Sequence, residues 1–107
     1  MSRPLKVQIV ELARTLIADK QHWCRRSLAN DVNGVPISPT SGRAVKWCGL
    51  GAVIAGAYEL TQDYDAAHRL GHEVLRPHFS PGTVIHVDDV RGHTAVLALF
   101  DEVIAVG

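Results

Sequence analysis

The chain has few cysteines, few aromatic residues and no long hydrophobic segment. Its 107 residues include two cysteines, two tryptophans, two tyrosines and two phenylalanines. Two cysteines cannot build the disulfide scaffold of a small secreted protein, so Cys24 and Cys48 are expected to be free thiols. The longest apolar run, from Trp47 to Tyr58, has about half of the ~20 residues that a membrane helix requires. No membrane span is therefore predicted.

The N-terminal segment does not show the pattern of a secretory signal either. Four charged residues interrupt its apolar positions: Glu11, Arg14, Asp19 and Lys20. A signal peptide needs an uninterrupted apolar stretch at this place. A cytoplasmic location is the resulting expectation.

The chain also has no net charge, because eleven basic side chains balance eleven acidic ones. The two halves differ, however. Residues 1–50 carry eight Lys or Arg against three Asp or Glu, which gives +5, and residues 51–107 carry three against eight, which gives −5. The halves are expected to pack with their charges facing each other. The overall balance lacks the electrostatic footprint of a nucleic-acid-binding protein, so nucleic acid is not an expected partner.

Four segments repeat apolar residues at helical spacing and are predicted to be helices: residues 3–20, 40–60, 62–76 and 95–105. In the first helix, the predicted inner face consists of Leu5, Ile9, Leu12, Ala13, Leu16 and Ile17. In the third, it consists of Tyr64, Ala67, Leu70, Gly71 and Val74. In the fourth, it consists of Val96, Leu99, Phe100 and Val103.

The second predicted helix is apolar on all sides, which is typical of a helix at the centre of a fold. It contains Gly49, Gly51 and Gly56. Interior glycines cost a helix about 1 kcal/mol each relative to alanine. We therefore expect neighbouring elements to approach closely at these glycines and to offset that cost through dispersion contacts.

A β-hairpin is predicted before this helix. Asn33-Gly34 is a strong signal for a type I′ turn, whose two central residues both need positive φ. Residues 27–29 and 35–37 would form short flanking strands, the second limited to an edge by Pro36. A loose loop is the alternative. Residues 83–87 have strand character and could extend the sheet. The predicted fold is thus one mainly α domain spanning residues 1–107, with four helices around a central Gly/Ala-rich helix and a small hairpin.

This layout resembles a family of small bacterial proteins grouped as a domain of unknown function. In the early loop the resemblance rests on Asp31, Gly34 and Pro36. In the central helix it rests on the segment from Trp47 to Ala52, which reads Trp-Cys-x-x-Gly-Ala. Near the C-terminus it rests on Asp88-Asp89 and the segment 96–101. The resemblance implies a compact, helix-rich domain and supplies no catalytic residues.

Cys48 is the first candidate for chemistry. Papain-like cysteine hydrolases place their thiol at the start of a buried helix and a histidine later in the chain, an order that Cys48 followed by His86 or His93 would reproduce. However, the helical pattern begins near Arg43, which places Cys48 in mid-helix, beyond the reach of the helix dipole. The alternative is a small core residue, since free cysteine is among the most buried residue types.

Metal sites are the second candidate. His68 and His72 lie one helical turn apart and can share a face, but no carboxylate accompanies them as in His-Glu-x-x-His. The spacing of His22, Cys24 and Cys48 matches no structural zinc pattern. Asp88 and Asp89 fit a solvated turn or a helix cap as well as a cation site. No metal and no cofactor are therefore predicted.

Binding is the third candidate. Trp23 stands next to Arg25 and Arg26, two residue types that are frequent in interface hot spots, and Asn30 follows in the same loop. Trp23 could equally close one end of the core. The function expected from the sequence is a non-enzymatic domain that binds a protein partner or a second copy of itself. The alternative is a cysteine hydrolase that uses Cys48 with His86 or His93.

Overall fold

The computed structural model describes residues 3–74 and 91–106. These residues form four α-helices, a 3-10 helix and a small antiparallel sheet of two strands. In chain order the elements are α1 (Leu5–Ile17), the 3-10 helix (Lys20–His22), β1 (Ala29–Asn30), β2 (Lys46–Trp47), α2 (Gly49–Thr61), α3 (Tyr64–Val74) and α4 (His93–Val106). The predicted fold class, mainly α with a small two-stranded sheet, is confirmed. No helix in the described ranges has both the length and the apolar character needed to cross a membrane.

The central position of α2 is confirmed as well. This helix packs against α1 on one side and α3 on the other. Its buried residues are Gly49, Leu50, Gly51, Ala52, Val53, Ile54, Gly56 and Ala57. A Cβ added to Gly51 would lie 1.8 Å from the carbonyl oxygen of Leu28, and one added to Gly56 would lie 2.8 Å from the carbonyl oxygen of Ile9. Gly51 and Gly56 therefore allow other parts of the backbone to approach, as predicted.

The predicted start of α2 near residue 40 is wrong. The helix begins at Gly49, and the preceding residues Lys46 and Trp47 form β2. Cys48 is the N-cap residue, with the extended backbone angles φ −78° and ψ 175°. The apolar spacing from residue 43 onward resembles a helix, but pairing of Trp47 with Ala29 makes this segment extended. Tertiary pairing has overridden the local pattern.

The hairpin prediction is correct in part. The chain turns at Asp31–Gly34, where the Gly34 N–H donates to the Asp31 carbonyl, but only Gly34 has a positive φ, of 80°. The turn is therefore not type I′. The strand that pairs with β1 is Lys46–Trp47 and not residues 35–37, which reach the sheet through a single bridge between Asn30 and Pro36. Pro36 lacks an N–H group and cannot continue a ladder.

The first helix buries a slightly different face from the predicted one. Its buried residues are Val7, Ile9, Val10, Ala13 and Ile17. Leu12 and Leu16 are only half-buried, and Leu5 is exposed. The helix is thus rotated about its axis relative to the expectation, and two leucines lie at the edge of its contact with α2.

The last helix packs as predicted. Its buried residues are Val96, Leu99, Phe100 and Val103. On the exposed side, Asp101 accepts hydrogen bonds from the guanidinium of Arg14 on α1, with Nη2 at 3.3 Å from Oδ2. This hydrogen bond raises the pKa of Arg14 above its ordinary value. A base whose pKa is higher in the folded chain than in the unfolded chain stabilises the fold, and this contribution is lost only as the pH rises through the folded-state pKa. The contribution of Arg14 is therefore constant across the neutral pH range.

The third helix, Tyr64–Val74, starts two residues later than predicted. It buries Ala67, Gly71 and Val74, whereas Tyr64, expected on the inner face, is exposed. Gly71 packs closely against Ile54 of α2. A Cβ added to Gly71 would lie 2.5 Å from the Cγ1 atom of Ile54. The predicted strand at 83–87 lies outside the described residues.

Candidate functional site

A groove runs along the surface between α1 and α2, and we call it the α1–α2 groove. It consists of two cavities, of about 560 Å³ and about 230 Å³. Both cavities are lined by Leu12 and Thr15, so they adjoin along α1. The lining of the larger cavity is completed by Leu16, Pro39, Thr40, Ser41, Gly42, Trp47, Ala55, Gly56, Tyr58, Glu59 and Gln62. The lining of the smaller one is completed by Arg3, Gln8, Glu11 and Leu60.

The groove follows from how α1 and α2 meet. At Gly56 the two helices approach so closely that a Cβ would lie 3.3 Å from the Cβ of Leu12. Leu12 and Leu16 remain half-buried beside this contact and line the larger cavity. The apolar residues that the core does not absorb therefore form the floor of the groove.

The wall opposite α1 is a loop held rigid by its own hydrogen bonds. The Trp47 indole Nε1–H donates to the Pro39 carbonyl oxygen at 3.0 Å, which fixes the ring against the loop. The Thr40 N–H donates to the Ser38 hydroxyl at 3.3 Å, and the Arg43 N–H donates to the Ser41 hydroxyl at 3.1 Å. A wall fixed in this way loses little conformational entropy when a ligand binds.

Cys48 occupies a different position from the predicted one. Because it is the N-cap of α2, its sulfur accepts a hydrogen bond from the Gly51 N–H, with Sγ and N 3.3 Å apart. A hydrogen bond donated to sulfur, together with the helix dipole, favours the thiolate. Burial opposes this effect, and only 5% of Cys48 is exposed. The sequence argument against catalysis, which placed Cys48 in mid-helix, is therefore wrong in its geometry.

One of the two histidines proposed as partners of Cys48, His93, lies among the described residues. His93 is the first residue of α4, and its Nε2 atom lies within hydrogen-bonding distance of the Ile17 carbonyl at the end of α1. Its ring also packs against Trp23, with the ring centroids 5.6 Å apart. These contacts give His93 a structural role between α1 and α4. His86 lies outside the described residues.

The predicted binding loop contains both core and surface residues. Trp23 is buried in the main core cluster, so it closes one end of the core as the alternative reading expected. Arg25 and Arg26 are exposed, and the Arg25 guanidinium lies 5.0 Å from the centroid of the Trp23 ring. Arg26 has a φ of 70°, a left-handed conformation that side-chain-bearing residues rarely adopt. Asn30 is half-buried in β1 and accepts a hydrogen bond from Ser27.

A comparison with models of known protein families identifies the family of the chain. One family model, described as a family of unknown function (DUF6197), matches residues 1–106. The chain belongs to the DUF6197 family. A search of the curated proteins found no match, and a search of the solved structures found none either. The family membership agrees with the resemblance to a domain of unknown function, whereas the Trp-Cys-x-x-Gly-Ala motif and the bacterial origin stay predictions.

The DUF6197 match includes every described residue of the groove and of the Cys48 environment. Within residues 3–74 and 91–106, no group of three or more His, Cys, Asp or Glu side chains is arranged to hold a metal ion. The His68 ring packs against the Tyr64 ring of the same helix at an interplanar angle of 44°, with the centroids 4.5 Å apart. Asp88 and Asp89 lie outside the described residues. The α1–α2 groove is thus the feature of this DUF6197 chain that sequence reasoning missed.

Proposed function

We propose that this chain is a non-enzymatic binding domain and that it takes up a segment of a partner protein in the α1–α2 groove. The observation that carries the proposal is the groove itself, an open crevice with an apolar floor and a rigid wall. The lining from Arg3 to Leu16 covers 14 residues of chain, and the 12 of them that belong to α1 extend about 17 Å along the helix. A crevice of this length suits an elongated segment with several apolar side chains better than a compact metabolite.

The combined chemistry of the lining supports the same occupant. Leu12, Leu16 and the Trp47 ring offer apolar contact area, and the hydroxyl groups of Thr15, Thr40 and Ser41 line the same cavity. Interfaces have this composition, with an apolar centre and a polar rim. An apolar side chain of the partner would displace water from the floor, which is favourable at about 25 cal/mol per Å².

A display selection tests the proposal. Random twelve-residue peptides are selected on the wild-type chain, and the affinity of the enriched peptides is measured for the variant Thr15→Trp. Thr15 is exposed and lines both cavities, so the indole fills the groove without entering the core. We expect affinity to fall about tenfold or more, which corresponds to ~1.4 kcal/mol.

The matched control is Thr94→Trp, because Thr94 is an exposed threonine on α4 that lines neither cavity. It should leave the affinity unchanged. The proposal is wrong if no peptide is enriched over the starting library, or if the enriched peptides bind Thr15→Trp as tightly as wild type. Loss of a wild-type dimer in Thr15→Trp, without peptide binding, would indicate that the groove holds a second copy instead.

A cysteine hydrolase is the second candidate, and the position of Cys48 favours it. The thiol stands at a helix N-terminus and accepts the Gly51 N–H, as an activated cysteine requires. Its partner would be His86 or His93, of which His93 contacts Ile17 and Trp23.

Thiol modification separates the two candidates. In a Cys24→Ala variant, which leaves Cys48 as the sole thiol, the rate of carbamidomethylation by iodoacetamide is followed from pH 5 to 9. For a binding domain with a buried cap residue, we expect modification about 100-fold slower than for a free cysteine, because the reagent reaches the sulfur only after local opening. Rapid modification with a midpoint well below about 8.5, the ordinary thiol pKa, would favour the hydrolase instead.

A further inference from the structure

The two cysteines of the chain lie on neighbouring stretches of backbone. Trp23 and Trp47 form a parallel bridge, and the N–H of Cys24 donates to the Trp47 carbonyl oxygen at 3.1 Å. Cys24 and Cys48 each follow one residue of this bridge. Trp23 has φ −111° and ψ 141°, and Cys48 has φ −78° and ψ 175°, so both are extended. Residues that follow bridged partners in extended parallel stretches lie opposite each other, at the ~4.8 Å spacing of neighbouring strands.

The chain after Cys24 bends around the start of α2. Cys24 is hydrogen-bonded on one side of β2, and on the other side the Leu28 carbonyl oxygen accepts the Cys48 N–H at 3.1 Å. Residues 24–28 therefore pass from one edge of this strand to the other around Cys48. The Cys24 thiol belongs to this bend, because its Sγ donates to the Ser27 carbonyl oxygen, with the two atoms 3.6 Å apart.

The sulfur of Cys48 lies against the same bend. It accepts the Gly51 N–H at 3.3 Å. Gly51 also touches the Leu28 carbonyl, since a Cβ added to Gly51 would lie 1.8 Å from the Leu28 oxygen. The segment that holds the Cys24 sulfur and the turn of helix that holds the Cys48 sulfur are therefore in contact. Both cysteines are buried there, with 8% of Cys24 and 5% of Cys48 exposed.

We infer that Cys24 and Cys48 form a reversible disulfide in the folded chain under oxidising conditions. A disulfide needs Cα atoms about 4.4–6.8 Å apart, a range that includes the spacing of neighbouring strands. Both cysteines are thiols in this structure, and the bond forms by rotation of the two side chains. It closes the chain between them into a loop that contains residues 39–42, the wall of the α1–α2 groove. The inference is independent of what the groove binds.

The oxidant is a small-molecule disulfide such as oxidised glutathione. The thiolate of Cys48, favoured by the Gly51 N–H, attacks one sulfur of this disulfide, whose S–S bond breaks and releases one glutathione thiolate. The thiolate of Cys24 then attacks the Cys48 sulfur of the mixed disulfide and releases the second glutathione thiolate. The two protons lost by the cysteines protonate these leaving groups. Two protein thiols are thus oxidised to one disulfide, and one glutathione disulfide is reduced to two thiols.

The test is the equilibrium of the wild-type chain with mixtures of reduced and oxidised glutathione, in native buffer and in concentrated urea. Remaining thiols are alkylated after unfolding and counted by mass spectrometry, and peptide mapping locates the bond. We expect an intramolecular bond between Cys24 and Cys48. Its equilibrium constant should be about 100-fold larger in the folded than in the unfolded chain, because a disulfide that fits the fold is stabilised by it as much as it stabilises the fold.

Cys24→Ala is the control for the reaction order. Its mass should rise by one glutathione, since no second thiol is present to resolve the mixed disulfide. A Cys24→Ala chain that stays unmodified would contradict Cys48 as the attacking thiol. Equal equilibrium constants in native buffer and in urea, or mixed disulfides and covalent dimers in place of the intramolecular bond, would overturn the inference. Because these readouts involve no peptide, the proposed binding function would stand.

Discussion

Replacing Gly51 by alanine is expected to destabilise the protein by about 3 kcal/mol or more, at the upper end of the range for overpacked cores. The added Cβ would lie 1.8 Å from the carbonyl oxygen of Leu28 and 2.7 Å from its carbonyl carbon. Both are backbone atoms, so no side-chain rotation relieves the clash. The same carbonyl accepts the N–H of Cys48 at 3.1 Å, which ties the Leu28 segment to the start of α2. The clash far exceeds the ~1 kcal/mol that alanine gains over glycine in a helix.

The measurement is urea-induced unfolding followed by circular dichroism. Gly42→Ala is the matched control, since a Cβ at Gly42 would have no atom within 4 Å. This control should be neutral or slightly stabilising, because it reduces the entropy of the unfolded chain. Gly51→Ala and Gly42→Ala with equal midpoints would contradict the close packing of the Leu28 segment on α2.

Replacing Phe100 by alanine is expected to cost about 3–5 kcal/mol, the usual range for a buried phenylalanine. Within residues 3–74 and 91–106, Phe100 is the largest fully buried side chain, and it belongs to the main core cluster. Its loss would remove the main apolar contact of α4 and leave a cavity between this helix and the rest of the core. Since small domains are stable by only about 5–15 kcal/mol, the variant should be close to unfolding at 37 °C.

The neighbouring Glu102→Ala variant serves as the control, because Glu102 is exposed on the same helix. It should shift stability by no more than about 0.5 kcal/mol. Differential scanning calorimetry should show a much lower midpoint for Phe100→Ala alone. A loss below about 1 kcal/mol would mean that α4 is not part of the cooperative core.

The helices could be predicted from the sequence because their apolar faces are clear. In α4, the inward residues alternate with the charged pair Asp101 and Glu102, so only one face can be buried. In α2, apolar residues on all sides indicate a central helix, whatever its neighbours are. These features depend only on local spacing, which the sequence contains in full.

The start of α2 could not be predicted in the same way. Residues 43–47 have helical spacing but lead from a turn into the strand Lys46–Trp47, because Trp47 pairs with Ala29 of β1 and receives the Cys24 N–H on its carbonyl. Such pairings join residues 18 and more positions apart, and no periodicity within the segment records them. The N-cap position of Cys48 was missed for the same reason, because the helix that it caps begins at Gly49.

The groove was equally hidden. At the sequence level Leu12 and Leu16 repeat with the core residues Ile9 and Ala13, so they look like core positions. Only the close approach of α1 and α2 at Gly56 decides that the two leucines lie at the edge of the contact. Spacing can assign residues to a face, but the exact rotation of a helix against its neighbour depends on the shapes of both.

The account depends most on the α1–α2 groove being the surface that binds, and amide chemical-shift mapping tests this directly. The ¹⁵N-labelled chain is titrated with an enriched twelve-residue peptide. We expect the largest shifts at Leu12, Thr15, Leu16, Gly42 and the indole N–H of Trp47. Shifts concentrated at Arg25, Arg26 and Asn30, with the groove residues unchanged, would contradict the account and favour the loop that the sequence first indicated.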